Sequence, residues 1–397
     1  MPPQRIYMDY HATTPVDPRV FAAMEPYFTE IYGNPASKNH LFGREARAAV
    51  ETAREQVAQL IGARPKEIIF TSGATESNNL ALKGAAGNIR GGASAQRNHL
   101  LTVASEHKAV LDPAGTLARD GIEVTLLGVG PDGRIDMAAL KAALTERTFM
   151  VSVMQANNEI GVIQPVTEIG ALCRSRGILF HSDGAQAVGK IAVDVNSMAI
   201  DLLSISGHKL YAPKGIGVLY VRTGLELQAQ MDGGGHERGL RSGTLPTPLI
   251  VALGAACELC GAELEAESAA LAVLRDQLLD GILAGLDGVT VNGSMDRRLA
   301  GNLNLCFDGV EAESLLQKVP HIALSTGSAC TTADLQPSHV LKAIGLGHEQ
   351  ALSSVRFGLG RYTTAAEVAA TVEGVVDAVK ALREGSLLKG LGWKPDR

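Results

Sequence analysis

The stretch ILFHSDGAQAVGKIAVDVNSMAIDLLSISGHKLYAPKGIGVLYV, residues 178–221, decides the architecture. It contains three short β-rich runs: ILFHSD (178–183), DLLSIS (201–206) and IGVLYV (216–221). Such brief apolar runs, bounded by small and polar residues, mark strands buried on both faces. Towards the amino end the same pattern recurs as IIFTSG (68–73), HLLTVAS (99–105), IEVTLLG (122–128) and FMVSVM (149–154). Helically spaced stretches such as ESNNLALKGAAGNI and VTEIGALCRSRG lie between most of these runs. Strand–helix alternation from about Pro65 to Val221 predicts an α/β domain, a mostly parallel seven-stranded sheet with helices on both faces. In the other direction a long helical stretch runs from Thr247 toward Leu286. It is followed by NLNLCF, ESLLQKV, HIALST, VRFGLG and a helix near Ala365–Arg383, a smaller α+β domain. The expected division is a large domain of residues 15–255 and a small one of residues 1–14 and 256–397.

Composition limits what such a chain does. The 397 residues carry 44 glycines against 16 prolines with no repeat period, which suits many tight strand-to-helix turns. The net charge of −6 argues against nucleic acid or an anionic membrane as the main partner. No run of apolar residues is long enough for a membrane span, and the first ten residues lack a signal-peptide pattern, so the expected location is the cytoplasm. Five scattered cysteines, Cys173, Cys257, Cys260, Cys306 and Cys330, fit a reducing compartment. Cys257 and Cys260 form a C-x-x-C, but no second pair completes a metal site and the surrounding sequence is helical.

In an open parallel sheet, ligands bind beyond the carboxyl ends of the strands. The residues ending the runs are Thr71–Thr75, Glu106-His107, Asn157-Asn158-Glu159, Asp183 with Gln186, and Ser206-Gly207-His208-Lys209. Gly73-Ala74-Thr75 opens a helix, where free amides and a hydroxyl suit a phosphate; an ordinary glycine turn with a threonine cap would look the same. Ser206 and His208 add donors, and Gly207 lets the backbone bend close. Lys209 beside a phosphate pocket is what a Schiff base with a phosphorylated aldehyde requires. Asp183 suits a pyridinium partner, and equally a cap for the residues after it.

These residues carry a resemblance. MDYHATTPVDPRV, FTSGATESNNLA, EHKAVLD, VSVMQANNEIGVIQP, FHSDGAQAVGK, SISGHKLYAPKGIGVLYVR, GGGHERGLRSGTLP and STGSACTTADLQPSHVLKAIG occur in that order. From about Ile6 to Leu382 the chain resembles the cysteine desulfurases of the class V aminotransferase family, closest to the group I, housekeeping iron–sulfur type. The resemblance implies fold type I of the enzymes that use pyridoxal 5'-phosphate. It makes Lys209 the lysine that carries the cofactor, Asp183 the pyridinium partner and His107 the histidine stacked on the ring. Gln186 then bonds the ring hydroxyl, and Asn158 sits beside ring and substrate carboxylate. Ala74, Thr75, Ser206, Gly207 and His208 surround the phosphate, and Thr244 is supplied by the other subunit of a homodimer. Arg356, in SSVRFGLG, binds the substrate carboxylate, the alternative being a structural arginine at a strand start.

By the same resemblance Cys330 accepts sulfur from L-cysteine as a persulfide, on a loop of about residues 326–338, and passes it to an iron–sulfur scaffold or another acceptor protein. No resident metal is implied, although Cys330 would contact a partner's cluster transiently. The small, polar, glycine-containing setting of Cys330 contrasts with NLNLCF around Cys306. The alternatives are a selenocysteine lyase or another class V enzyme, and a non-catalytic assembly scaffold, against which the intact Lys209, Asp183, His107 and Cys330 count. A phosphate-loop nucleotide binder fails for want of its glycine motif. The tail after Arg383 is unlike the family's longer carboxyl end.

Overall fold

The computed structural model describes residues 5–90, 97–326 and 337–390. Its strands are β1 (Ile6–Tyr7), β2 (Ile68–Thr71), β3 (His99–Val103), β4 (Glu123–Leu127), β5 (Thr148–Ser152), β6 (Leu179–Asp183), β7 (Leu202–Ser206), β8 (Gly217–Val221), β9 (Val289–Val291), β10 (Asn302–Phe307), β11 (Ile322–Ala323) and β12 (Ser354–Gly358). The helices are α1 (Pro18–Met24), α2 (Pro26–Thr29), α3 (Leu41–Leu60), α4 (Ala74–Arg90), α5 (Lys108–Arg119), α6 (Met137–Ala143), α7 (Val166–Ser175), α8 (Thr247–Gly285), α9 (Ala312–Lys318), α10 (His339–Ala343), α11 (His348–Leu352) and α12 (Ala365–Gly390).

All seven runs expected to be strands form one sheet, in the order β2-β8-β7-β6-β5-β3-β4. Only β8 runs antiparallel to its neighbours. The carboxyl ends of the other six therefore point to one edge. Alternate residues feed two cores. Phe70, Leu101, Val151, Phe180, Leu203 and Val218 pack on one face, with α3, α7 and the first part of α8. Ile69, Leu100, Met150, Leu202 and Leu219 pack on the other, under α4 and α5.

A third core joins β10, β12 and α12 to Ile6, Met8, Leu278 and Ile282. One helix serves two cores: Ile250 to Cys260 of α8 lie in the sheet core, whereas Leu278 and Ile282 lie in the carboxyl-terminal one. A cut between residues 255 and 256 thus falls inside a continuous helix. The last helix also runs past Arg383 to Gly390, because good helix formers follow and no proline occurs before Pro395. Cys173, Cys257, Cys260 and Cys306 are buried free thiols, and the C-x-x-C lies within α8 as its helical setting suggested.

A buried histidine ties the middle of the sheet together. His181 on β6 meets the hydroxyl of Ser152 on β5 at 2.8 Å and that of Ser204 on β7 at 3.1 Å. Burial pushes its imidazole down to about 3. An unfolded chain takes up that proton near the ordinary value of about 6.5, so between the two values acid favours the unfolded state. Replacing His181 by Gln removes this titration. The stability lost on going from pH 7 to pH 5, read from urea midpoints, is expected to be about 2 kcal/mol smaller in the variant. Equal losses in both proteins would show that His181 is charged in the fold.

Candidate active site

The site begins where β2 turns into α4. The Thr71 hydroxyl meets that of Ser77 at 2.8 Å, which ties the strand end to the second turn of the helix. Gly73 between them has φ +153°, a backbone region that side chains disfavour. A Cβ on Gly217, at the start of β8, would come within 2.5 Å of the Gly73 Cα, so the two strands approach this closely only with glycine there. The α4 amino terminus leaves amide donors beside Ala74 and Thr75, with Thr75 exposed.

Asp183 ends β6 and is 5% exposed. One carboxylate oxygen takes the Ala185 amide at 2.9 Å, the other the Asn78 side chain at 2.7 Å. The carboxylate thus caps the turn that follows it, and Asn78 links it to α4. Glu106 nearby is held well above the usual carboxylate range by burial and by Asp183. His107 caps α5, its Nδ1 accepting the Ala109 amide at 3.0 Å. The neutral ring therefore carries its proton on Nε2. Burial lowers its pKa; Asp183 opposes that shift and Lys209 adds to it, which sets all three around one space.

Lys209 closes the short turn Gly207–Lys209 after β7. Its ammonium donates to the carbonyls of His11 and, at 2.7 Å, Ala12. His208 lies against the Thr13 hydroxyl at 3.1 Å, and burial with Lys209 and Lys214 close by pushes it down to about 4, so the ring is neutral at ordinary pH. Ser206 is buried at the end of β7.

Gln186 lies between His11 and Lys190. Its Oε1 accepts from Lys190 at 2.8 Å and lies 3.0 Å from His11 Nδ1, while its Nε2 donates to the His11 carbonyl at 2.9 Å. Both ends of the amide are engaged, leaving one N–H.

Arg356 on β12 is 2% exposed. It donates to Asp9 at 2.7 Å and to the Asn158 carbonyl at 2.8 Å, and its Nε is buried without a partner. Asn158 Oδ1 and Asn78 Oδ1 are likewise buried and unpaired. Unsatisfied groups of this kind mark a place shaped for something polar. Together with the α4 cradle, Asp183 and Lys209, this donor set fits pyridoxal 5'-phosphate: amides for a phosphate, a carboxylate for a ring nitrogen, an amine for an aldehyde.

Thr244 is exposed on the glycine-rich segment 233–246 and hydrogen-bonds to none of these residues. That segment is held from below. Glu237 and Arg238 both have left-handed backbone, φ 46° and 59°. The buried Glu237 carboxylate accepts from both ends of the Arg54 guanidinium, at 2.9 and 2.8 Å, and from the Phe70 amide at 2.7 Å. Removing one partner strands the other charge, so Glu237→Ala is expected to cost about 3–5 kcal/mol in a urea titration. A loss under about 1 kcal/mol would mean that water or another acid replaces the carboxylate.

Cys330 lies outside the described residues. Sequence reasoning missed Asp9, His11, Asn78, Arg54 and Glu237 as supports of the site. The motifs MDYHATTPVDPRV and GGGHERGLRSGTLP contain three of them, with nothing local to announce their contacts.

A lysine, an acid and a helix amino terminus gathered at one edge of this sheet define a class, and the comparisons agree. The aminotransferase class-V model matches residues 6–371. The chain belongs to the class-V aminotransferase family. It is 53% identical over 400 residues to the cysteine desulfurase IscS of Rickettsia rickettsii (strain Iowa), covering 98% of this chain and 97% of that protein. It is 55% identical over 385 residues to the cysteine desulfurase IscS of Anaeromyxobacter sp. (strain Fw109-5), covering 96% and 94%. Among solved structures, a NifS-like protein superposes with TM-score 0.89 at 34% identity, covering 95% of this chain and 100% of that one. A structure described as SspA in complex with cysteine gives TM-score 0.80 at 38% identity, covering 90% and 100%.

Proposed function

We propose that this chain is a cysteine desulfurase that uses pyridoxal 5'-phosphate to convert L-cysteine to L-alanine and holds the sulfur as a persulfide on Cys330. The observation that carries this reading is the link from Asp183 through Asn78 into α4, with Lys209 in the turn after the neighbouring strand β7. The cofactor, when bound, supplies an electron sink for the charge left at the substrate α-carbon.

The protein's own groups do the rest. Asp183 would hold a proton on the ring nitrogen, while the α4 amides, Thr75, Ser206 and the neutral His208 would hold the phosphate. Lys209 would hold the aldehyde, and its amine would be the base placed to move the substrate α-proton. Arg356 turns its unpaired Nε to the substrate carboxylate, beside Asn158. His107, facing the same space as Asp183 and Lys209, would donate from Nε2. The Cys330 thiolate attacks the substrate sulfur. An S–S bond forms, the Cβ–S bond breaks with its electron pair going to carbon, and that carbon takes a proton. The balance is cysteine plus thiol giving alanine plus persulfide, with no outside oxidant or reductant.

A homodimer, with Thr244 reaching the partner's phosphate, accounts for the exposure of that residue. The four described cysteines are free, and among the described residues no helix is long and apolar enough to cross a membrane. The persulfide would be passed to an iron–sulfur scaffold or another acceptor protein in the cytoplasm. The deciding experiment supplies L-cysteine to the purified holoenzyme without reductant. Alanine and one added sulfur per chain are expected; pyruvate or an exchanged amino group in place of alanine would assign another class-V reaction.

A further inference from the structure

The segment that carries Cys330 leaves and rejoins the described fold at two places, and both rest on the same unit. At its start, Ser325 exchanges backbone hydrogen bonds with Arg356: the Arg356 amide donates to the Ser325 carbonyl at 2.7 Å and receives the return bond at 3.4 Å. At its end, the Ser338 hydroxyl donates to the Glu159 carboxyl while accepting the amides of Val340 and Leu341 at 3.1 and 3.2 Å, which caps α10. His339 Nε2 meets the Glu106 carbonyl at 2.8 Å on the adjoining strand end.

Glu159 follows Asn158, whose carbonyl receives the Arg356 guanidinium. Its own backbone is fixed on both sides. The Glu159 amide donates to Asn157 at 2.8 Å, and its carbonyl accepts the side chains of Asn302 and Asn304, each at 3.2 Å. A chain of contacts thus runs from Ser325 through Arg356, Asn158 and Glu159 to Ser338.

We propose that Glu159 is a positioning residue that sets the distal anchor of the cysteine-bearing segment against the arginine that holds the substrate carboxylate. The inference rests on the desulfurase reading and extends it: sulfur transfer depends on Glu159, while capture of cysteine does not. Ser338 and the Arg356 guanidinium are both held by residues 158–159, and misplacing a reacting group by about 1 Å costs on the order of 100-fold in rate. Burial pushes the Glu159 carboxyl up to about 7, against the pull of Arg356, so the bond to Ser338 rather than a full ion pair is what the group contributes.

The test compares Glu159→Ala with Glu159→Gln, which keeps an acceptor for Ser338, in the holoenzyme. Glu159→Ala is expected to lower the rate of alanine formation and of sulfur loading on the enzyme by about 10- to 100-fold with KM for cysteine within about twofold, and Gln to recover most of the rate. Hydrogen exchange of peptide 337–344 is expected to quicken in the Ala variant and not in the Gln variant. An unchanged rate, a raised KM with unchanged kcat, or Gln failing as badly as Ala overturns the role. A wild type that forms no alanine fails the desulfurase reading, whereas the exchange measurement still decides whether Glu159 anchors Ser338.

Discussion

Lys209→Ala is expected to abolish turnover, by at least about a thousandfold, and to leave a protein that binds the cofactor without a covalent link. In wild type, borohydride should fix the cofactor to the peptide containing residue 209; in the variant no peptide should carry it. Lys190 makes this a demanding experiment. Its amine donates to Gln186 and is pushed down to about 7, by burial first and by Lys209 second, so it is partly neutral and nucleophilic at ordinary pH. By pKa alone it would compete. Position separates the two: Lys209 follows β7 directly at the carboxyl edge of the sheet and reaches the turn of residues 11–12. Lys190 sits under that turn. Label found on the Lys190 peptide would overturn the assignment.

Cys330→Ser is expected to bind the cofactor and cysteine as wild type does, yet release alanine roughly a thousandfold more slowly and carry no added sulfur. The case rests on what the other thiols cannot do. Burial pushes Cys173 up to about 12 and Cys260 up to about 11, holds Cys257 well above its ordinary value and raises Cys306. All four are packed in the interior. None offers a thiolate near neutrality, and the thiolate, not the thiol, is the nucleophile in this attack. Sulfur recovered by peptide mass on any of those four, or undiminished alanine formation in the serine variant, would refute the assignment.

How far the site is legible without coordinates depends on the range of the contact. Asp183 and Lys209 are legible because each terminates an apolar run, and in a parallel sheet every such terminus lies on the same edge. Asn78 is four residues into α4 and meets Asp183 105 positions away, so no local pattern singles it out. Gln186 is likewise held by His11, 175 positions away, and by Lys190, with one N–H left over; no motif announces the first of these contacts.

The sequence by itself determined the seven strands, the helices between them and the edge on which the chemistry gathers, because strand burial and strand ends are written in short windows of composition. It also determined which residues could act as amine, acid and thiol. Only the tertiary structure decided how they are held. Arg356 finds Asp9 at a separation of 347 residues, Glu237 finds Arg54 across 183, and Ser338 finds Glu159 across 179. A buried charge or hydroxyl must have a partner, but which partner is set by how the sheet, α3 and the carboxyl-terminal core pack, and packing is a property of the whole chain.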